Sequence, residues 1–334
     1  MSNPTAAPDS NFCAETLVKL SNGITAYKLV APINGADPKM TIVCLHGFNT
    51  SSWMWSDLAE IYTDELCGPG AQVLVFDFYG HGRSPWTGVV QCTLNILVSQ
   101  TLELLDILNF KEPVSVVGHC MGGAVAVGFA AKYPDRCSSL CIFGSLGLYS
   151  NRSLSDRMLK IPCIGDLLML QRKPKLVFEQ EKEFFNILED TDHRMLINRQ
   201  MAMVNWQLNN TPGYLSAVLS RYRSFPVQGM GELYDLVGRH PNRPVLIIWG
   251  DHDAITPFDR VRGELEESFP NGTITLMENC GHNALFEQFY QFATYTVDFH
   301  TDLLDLSKGR SVSLRVADRN YSKNMNEYSK PANK

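Results

Sequence analysis

An excess of cationic charge, a paired-cysteine pattern and a membrane-length apolar run are all missing from this 334-residue chain. Lys and Arg number 29 against 35 Asp and Glu, a formal net charge of -6. Nucleic-acid binding rests on clustered cations that neutralise phosphates, so no nucleic-acid partner is expected. The nine cysteines are odd in number and contain no CxxC pair, which fits neither a disulfide framework nor a zinc ribbon. Reduced thiols, most of them small core residues as in MTIVCL and SLCIFG, imply a cytoplasmic setting. The opening MSNPTAAPDSNFC lacks the basic start and apolar core of a secretory signal. Residues 114–131 carry no Asp, Glu, Lys or Arg, yet they hold His119, Cys120 and four glycines and divide into a strand and a helix start. Stable membrane insertion is therefore not expected.

What is present is enough apolar sequence, 45%, to bury a large core, and short β-branched runs alternating with helix-length amphipathic segments. That alternation predicts an α/β fold, a mostly parallel central sheet with helices on both faces. Asn-Gly between two alternating runs near the start predicts a hairpin. Strands follow at residues 40–45, 72–76, 114–118, 139–144, 244–250 and 273–278, each apolar enough to be buried on both faces. Helices are expected over 94–108, 124–132 and 284–304. Between residues 147 and 241 the strand rhythm stops and helical text takes over, as in PKLVFEQEKEFFNILED and DHRMLINRQMAMVNWQL. Met195, Met201, Met203 and Trp206 recur there at helical spacing, which predicts packing positions. The expected organisation is a flexible 1–14, a core formed by 15–147 and 241–306, and a helical cap over 148–240. A basic tail at 307–334, with seven Lys or Arg against two acids from Lys308 onward, is expected to be disordered.

At Gly118-His119-Cys120-Met121-Gly122-Gly123 a strand ends and a helix begins around a G-x-C-x-G pattern. A turn this sharp strains its central residue, and small neighbours let strand and helix approach. The side chain of Cys120 is thereby presented at the sheet's C-terminal edge. The helix that follows aims free N–H groups at it, stabilising negative charge there. His46-Gly47-Phe48 follows another strand, so the Phe48 and Met121 N–H groups form a candidate oxyanion hole, each donor worth about a hundred- to a thousandfold in rate. Trp249-Gly250-Asp251-His252-Asp253 offers two carboxylates, either of which could orient a histidine. His282 stands between the last strand and the last helix.

HGF at 46–48, DFYGHGRSP at 77–85, GHCMGG, WGDHD and GHNALFEQ together resemble the α/β-hydrolase superfamily, in its capped esterase, lipase and C–C bond hydrolase branch. The resemblance spans about residues 15–304. It implies an α/β-hydrolase fold and the order nucleophile, acid, base, here Cys120, Asp253 and His282. It also implies that Asp253, last in G-x-x-D, is the acid in preference to Asp251. Most members carry Ser where this chain has Cys120; a Cys nucleophile recurs in dienelactone hydrolases and polyhydroxyalkanoate synthases. The expected activity is hydrolysis of a small-molecule ester or thioester through a Cys-His-Asp triad, with His46, Gly47, His119 and Trp53 supporting the pocket. Trp53, Trp55, Phe48 and an apolar cap suggest a hydrophobic acyl or aromatic group. An acyltransferase of the same fold would carry the same sequence; the other alternative is a non-catalytic ligand sensor on the scaffold, against which the intact Asp253 and His282 argue. No metal and no cofactor is expected, and the oligomeric state stays open.

Overall fold

The hairpin at the start joins β1 (Thr16–Leu20) to β2 (Gly23–Val30) through Ser21 and Asn22, with Leu20 paired to Gly23. The turn thus lies one residue earlier than Asn-Gly suggests, and Gly23 already belongs to the strand. The computed structural model describes residues 14–88, 91–151, 153–185 and 191–307. The expected flexible start, apart from residue 14, and the basic tail from 308 lie outside them.

Six more strands follow, β3 (Thr41–Leu45), β4 (Gln72–Phe76), β5 (Val114–His119), β6 (Cys137–Phe143), β7 (Val245–Gly250) and β8 (Thr273–Met277). They form one sheet in the order β1-β2-β4-β3-β5-β6-β7-β8. β2 runs antiparallel to β4, and every pairing from β4 to β8 is parallel. Parallel strands need crossovers, and helices supply them on both faces. In β3, Val43 and Leu45 join one core with Leu97, Val125 and Phe129, while Ile42 and Cys44 join the other with Trp55, Tyr62 and Phe292. The central strand β5 is buried at every position. β8 departs from the expectation of two-sided burial: it pairs only with β7 at the edge, is half-buried at most positions, and exposes Leu276.

The helices are α1 (Ser56–Thr63), α2 (Leu94–Ile107), α3 (Met121–Lys132), α4 (Leu154–Met158), α5 (Ile164–Arg172), α6 (Leu176–Glu181), α7 (Thr191–Asn210), α8 (Tyr214–Ser224), α9 (Gly231–Gly238), α10 (Phe258–Ser268), α11 (Ala284–Glu287) and α12 (Phe289–Ser307). α3 is apolar all round because it is enclosed, touching the sheet, α2 and α9. The long helix expected over PKLVFEQEKEFFNILED is shorter: a 3-10 turn (Lys173–Lys175) leads into α6, after which the Glu183 and Phe184 N–H groups turn back to Gln180 and Glu181 and bury Phe184. In α7, Met203 is buried, but Met195 is 57% exposed. The last expected helix breaks at Gln288, whose side-chain amide donates to the Glu278 and Asn279 carbonyls and separates α11 from α12. No helix among the described residues is long and apolar enough to cross a membrane.

Candidate active site

Cys120 stands between β5 and α3 with φ 53° and ψ -113°, a conformation that non-glycine residues adopt only when their surroundings enforce it. Enforcement is visible on both sides. The Cys120 N–H donates to the Phe143 carbonyl at 3.1 Å, and its own carbonyl accepts from the Gly123, Ala124 and Leu146 N–H groups. A Cβ on Gly122 would lie 2.1 Å from the Leu45 carbonyl oxygen, and one on Gly118 2.4 Å from the Gly122 oxygen. The glycines therefore set how closely β3, β5 and α3 converge, and their convergence aims residue 120 at a cavity.

Two loops complete the constellation. After β7, Asp253 is buried, its Oδ1 accepting from the Ile255 and Thr256 N–H groups and its Oδ2 from the Thr256 hydroxyl. After β8, His282 Nδ1 donates to Asp253 Oδ2 at 2.8 Å, both groups almost fully excluded from water. Burial alone would depress the His282 pKa; the Asp253 carboxylate, with Cys120 beside the ring, holds it well above the ordinary value. His282 Nε2 is buried and makes no well-formed hydrogen bond. Asp251 is not at the ring. It accepts from the Cys280 N–H at 3.0 Å and from His252, fastening the loop that leads to His282.

Neither the Phe48 nor the Met121 N–H bonds to an acceptor among the described residues, so both donors remain free near Cys120. His46 Nδ1 donates to the Gly47 carbonyl and Nε2 accepts from the Phe78 N–H, and burial pushes its pKa down to about 3. It is a neutral strut between two loops. Gly47 is required because a Cβ there would come within 2.7 Å of His119 Nδ1. His119 stacks on Phe143, donates from Nε2 to the His282 carbonyl at 3.1 Å, and is kept neutral by burial. Trp53 does not line the cavity: its 3-10 turn (Ser52–Trp55) sends the ring into the second core, stacked on Phe286, with the Arg199 guanidinium over it. Trp55 is likewise enclosed, edge-on to Phe143.

Several residues at the site were not anticipated. The Phe48 carbonyl accepts from His81 Nε2 at 2.7 Å and from Arg221 of α8, a guanidinium that is fully buried. Gln207 of α7 bridges the Gly82 N–H and the Asn49 carbonyl. Glu287 accepts from the Gly281 and Asn283 N–H groups and so braces the His282 loop. His81 and Glu287 lie inside the DFYGHGRSP and GHNALFEQ motifs and could have been singled out; Arg221 and Gln207 carry no sequence signal. The cavity walls are also more polar than expected. Leu146, Val227 and Ile255 face Asp156, Arg172 and Glu183, with Arg172 held between Asp156 and Glu179. Burial pushes the Glu183 pKa up to about 7; His282 opposes that rise, and the Asp253 carboxylate adds to it.

A strand-edge elbow, a buried His–carboxylate pair and two free N–H donors on an eight-stranded mostly parallel sheet define the class, and the chain belongs to the alpha/beta hydrolase family, whose model matches residues 42–293. It is a hydrolase of that fold. Among its relatives is a 2-hydroxy-6-oxononadienedioate/2-hydroxy-6-oxononatrienedioate hydrolase of Paraburkholderia phymatum, 27% identical over 273 residues, covering 78% of this chain and 87% of that protein. Human monoacylglycerol lipase ABHD6 is 26% identical over 270 residues, covering 78% and 75%. A thermophilic esterase from Thermogutta terrifontis superposes with a TM-score of 0.69 at 19% identity, over 89% of this chain and all of that one.

Proposed function

We propose that the protein hydrolyses a carboxylic ester or thioester through Cys120, His282 and Asp253. The observation that carries this reading is the His282 ring, tied at Nδ1 to a buried carboxylate and left unpaired at Nε2 beside Cys120. In the reaction Cys120 gives its thiol proton to His282 Nε2, the sulfur attacks the carbonyl carbon, and the displaced electron pair on oxygen is received by the Phe48 and Met121 N–H groups. The intermediate collapses as His282 Nε2 delivers a proton to the departing alcohol or thiol. Water then gives its proton to His282 and attacks the acyl-cysteine, releasing the carboxylic acid and returning the thiol. Asp253 keeps the ring in the tautomer that presents Nε2 to these transfers. His46, Gly47 and His119 hold the loops in register.

The residues 148–240 act in this reading as a cap. The cavity of about 150 Å³ is below the roughly 300 Å³ of typical ligand pockets, so it encloses the scissile group and its immediate neighbours. An apolar acyl portion lies along Leu146, Val227 and Ile255, and a longer substrate extends outward. Support comes from a relative that is named as a monoacylglycerol lipase. Incubation with a panel of p-nitrophenyl esters and acyl thioesters, followed by intact mass and peptide mapping, tests the reading. An acyl adduct on Cys120 with multiple turnover is expected; turnover without any adduct on Cys120, or no turnover across the panel, would overturn it.

A further inference from the structure

Apolar side chains are exposed unevenly over this protein. Of the seventeen large apolar residues that are exposed among the described residues, seven fall between 158 and 185, including Ile161, Ile164, Leu167, Leu170 and Phe178. The segment is part of the insertion between β6 and β7. Its central helix, α5, buries Gly165 and Met169 and packs Leu168 into a small core with Tyr214 and Val218 of α8. On the other side it presents Ile164, Leu167 and Leu170 at three-residue spacing, 46%, 59% and 64% exposed. A helix with one wet face carries polar residues there. Here the wet face is apolar, and clustered exposed apolar surface marks a binding face.

The charge around it identifies the partner. Lys160, Lys173, Lys175 and Lys182 are all exposed in this segment, as is Arg157 just before it, in a chain whose formal net charge is -6. Of the exposed acids there, Asp166 is paired with Arg223 at 2.9 Å, which leaves Glu181. Lys160 precedes the apolar stripe and Lys173 and Lys175 follow it, so cations flank the surface at both ends. A second copy of the same face would bring these cations against one another. An anionic lipid surface accepts both features at once, the apolar side chains in the interfacial zone and the cations at the headgroups.

We propose that the α5 face, with its flanking lysines, docks the protein on an anionic membrane surface. α5 ends in Arg172, which forms part of the cavity wall with Asp156, so the docking face and the site share one helix. The enzyme then draws its ester from the lipid phase; this second step rests on the hydrolase reading above, whereas the docking does not.

Co-sedimentation of the full chain with vesicles of phosphatidylcholine, or of phosphatidylcholine with one quarter phosphatidylserine, separates the two. The wild type is expected to bind the anionic vesicles at least about tenfold more tightly than neutral ones, and less so in 0.5 M salt. Leu167→Asp with Leu170→Asp is expected to lower that binding at least about tenfold. Lys173→Gln with Lys175→Gln should remove the preference for phosphatidylserine, and it decides the matter if the aspartate variant fails to fold. Both variants should hydrolyse soluble p-nitrophenyl acetate at the wild-type rate, because none of the four residues lines the cavity. A wild type that stays in the supernatant with every vesicle, or variants that bind as it does, overturns the docking. A wild-type dimer that the aspartate variant dissociates, without vesicle binding, assigns the face to a second copy. Vesicle binding without ester hydrolysis leaves the docking in place and removes the hydrolase reading.

Discussion

The helices α3 and α5 are both rich in apolar residues, and the protein uses them in opposite ways. α3 buries Met121 through Ala130 without interruption, because the sheet, α2 and α9 surround it. α5 is covered along one stripe only and leaves three aliphatic side chains in water. The first helix exists to hold an elbow rigid, and its tolerance for change is set by glycines in contact with backbone. The second is held by fewer contacts and keeps its apolar surface for something else. Apolarity in a sequence thus says that a face will be covered, but not by what.

Substitutions at the two regions should differ in kind. Cys120→Ala removes the side chain that the elbow presents and alters nothing that shapes the elbow, so turnover of an activated ester is expected to fall at least about a thousandfold. Melting temperature should stay close to that of the wild type, since alanine meets the same positive φ. A variant retaining a tenth of the activity would place the chemistry elsewhere. Next in size is the contrast between two neighbouring carboxylates. Asp253→Asn leaves His282 Nδ1 facing an amide and should lower kcat by about a thousand- to ten-thousandfold. Asp251→Asn only weakens the anchor on the Cys280 N–H, and less than tenfold is expected. Steady-state kinetics that rank the two the other way would make Asp251 the acid.

Much of the first region is legible in the sequence because its signals are local. Short β-branched runs bounded by turns located every parallel strand to within two residues, and the G-x-C-x-G pattern located the junction of β5 with α3. Position along the chain could not say which tryptophan faces a cavity. Trp53 follows the His46 loop closely, yet a 3-10 turn directs it into the opposite core. Arg221 and Gln207 reach the Phe48 and Asn49 carbonyls from helices more than 150 residues away, a relation that no periodicity encodes. Met195 shows the same limit in the inserted helices. Helical spacing is a property of the helix, whereas burial needs a neighbour, and Met195 stays 57% exposed.

Stability measurements sharpen the comparison further. Leu104 on α2 is fully buried in the first core, so Leu104→Ala should cost about 2–5 kcal/mol in urea unfolding. Leu170→Ala on α5 removes a side chain of the same chemistry from an exposed site, and a change within about 0.5 kcal/mol is expected. Comparable costs for the two would mean that α5 is covered in solution, in a self-associated form or by a bound lipid.

The smallest expected effect tests whether the two regions are coupled, and it turns on Glu183, which the insertion places in the cavity wall near His282 and Asp253. Burial raises its pKa from 4.5 to about 7, so the folded protein binds a proton there that the unfolded chain releases near pH 4.5. Stability therefore falls as pH rises through that window, because the folded state must either keep the proton or bury a charge. The direction for His282 also runs downhill with pH: its folded pKa lies above the ordinary value, so its contribution is present in acid and is lost as pH rises through the folded value. Glu183→Gln deletes the first effect and retains most of the second. Melting temperatures of the variant and the wild type should coincide near pH 4.5 and diverge up to about pH 7, with the variant higher. Because Glu183 is half-buried and partly screened by water, the gap at pH 8 should be about 1 kcal/mol, which corresponds to about 1–2 °C for a chain of 334 residues. Removal of the nearby carboxylate should also lower the pH at which His282 loses its proton, visible as a shift in the alkaline limb of kcat/KM. If neither the melting curves nor the pH profile distinguish Glu183→Gln from the wild type, the insertion contributes only walls to the cavity, and the electrostatics of the site belong to the sheet edge alone.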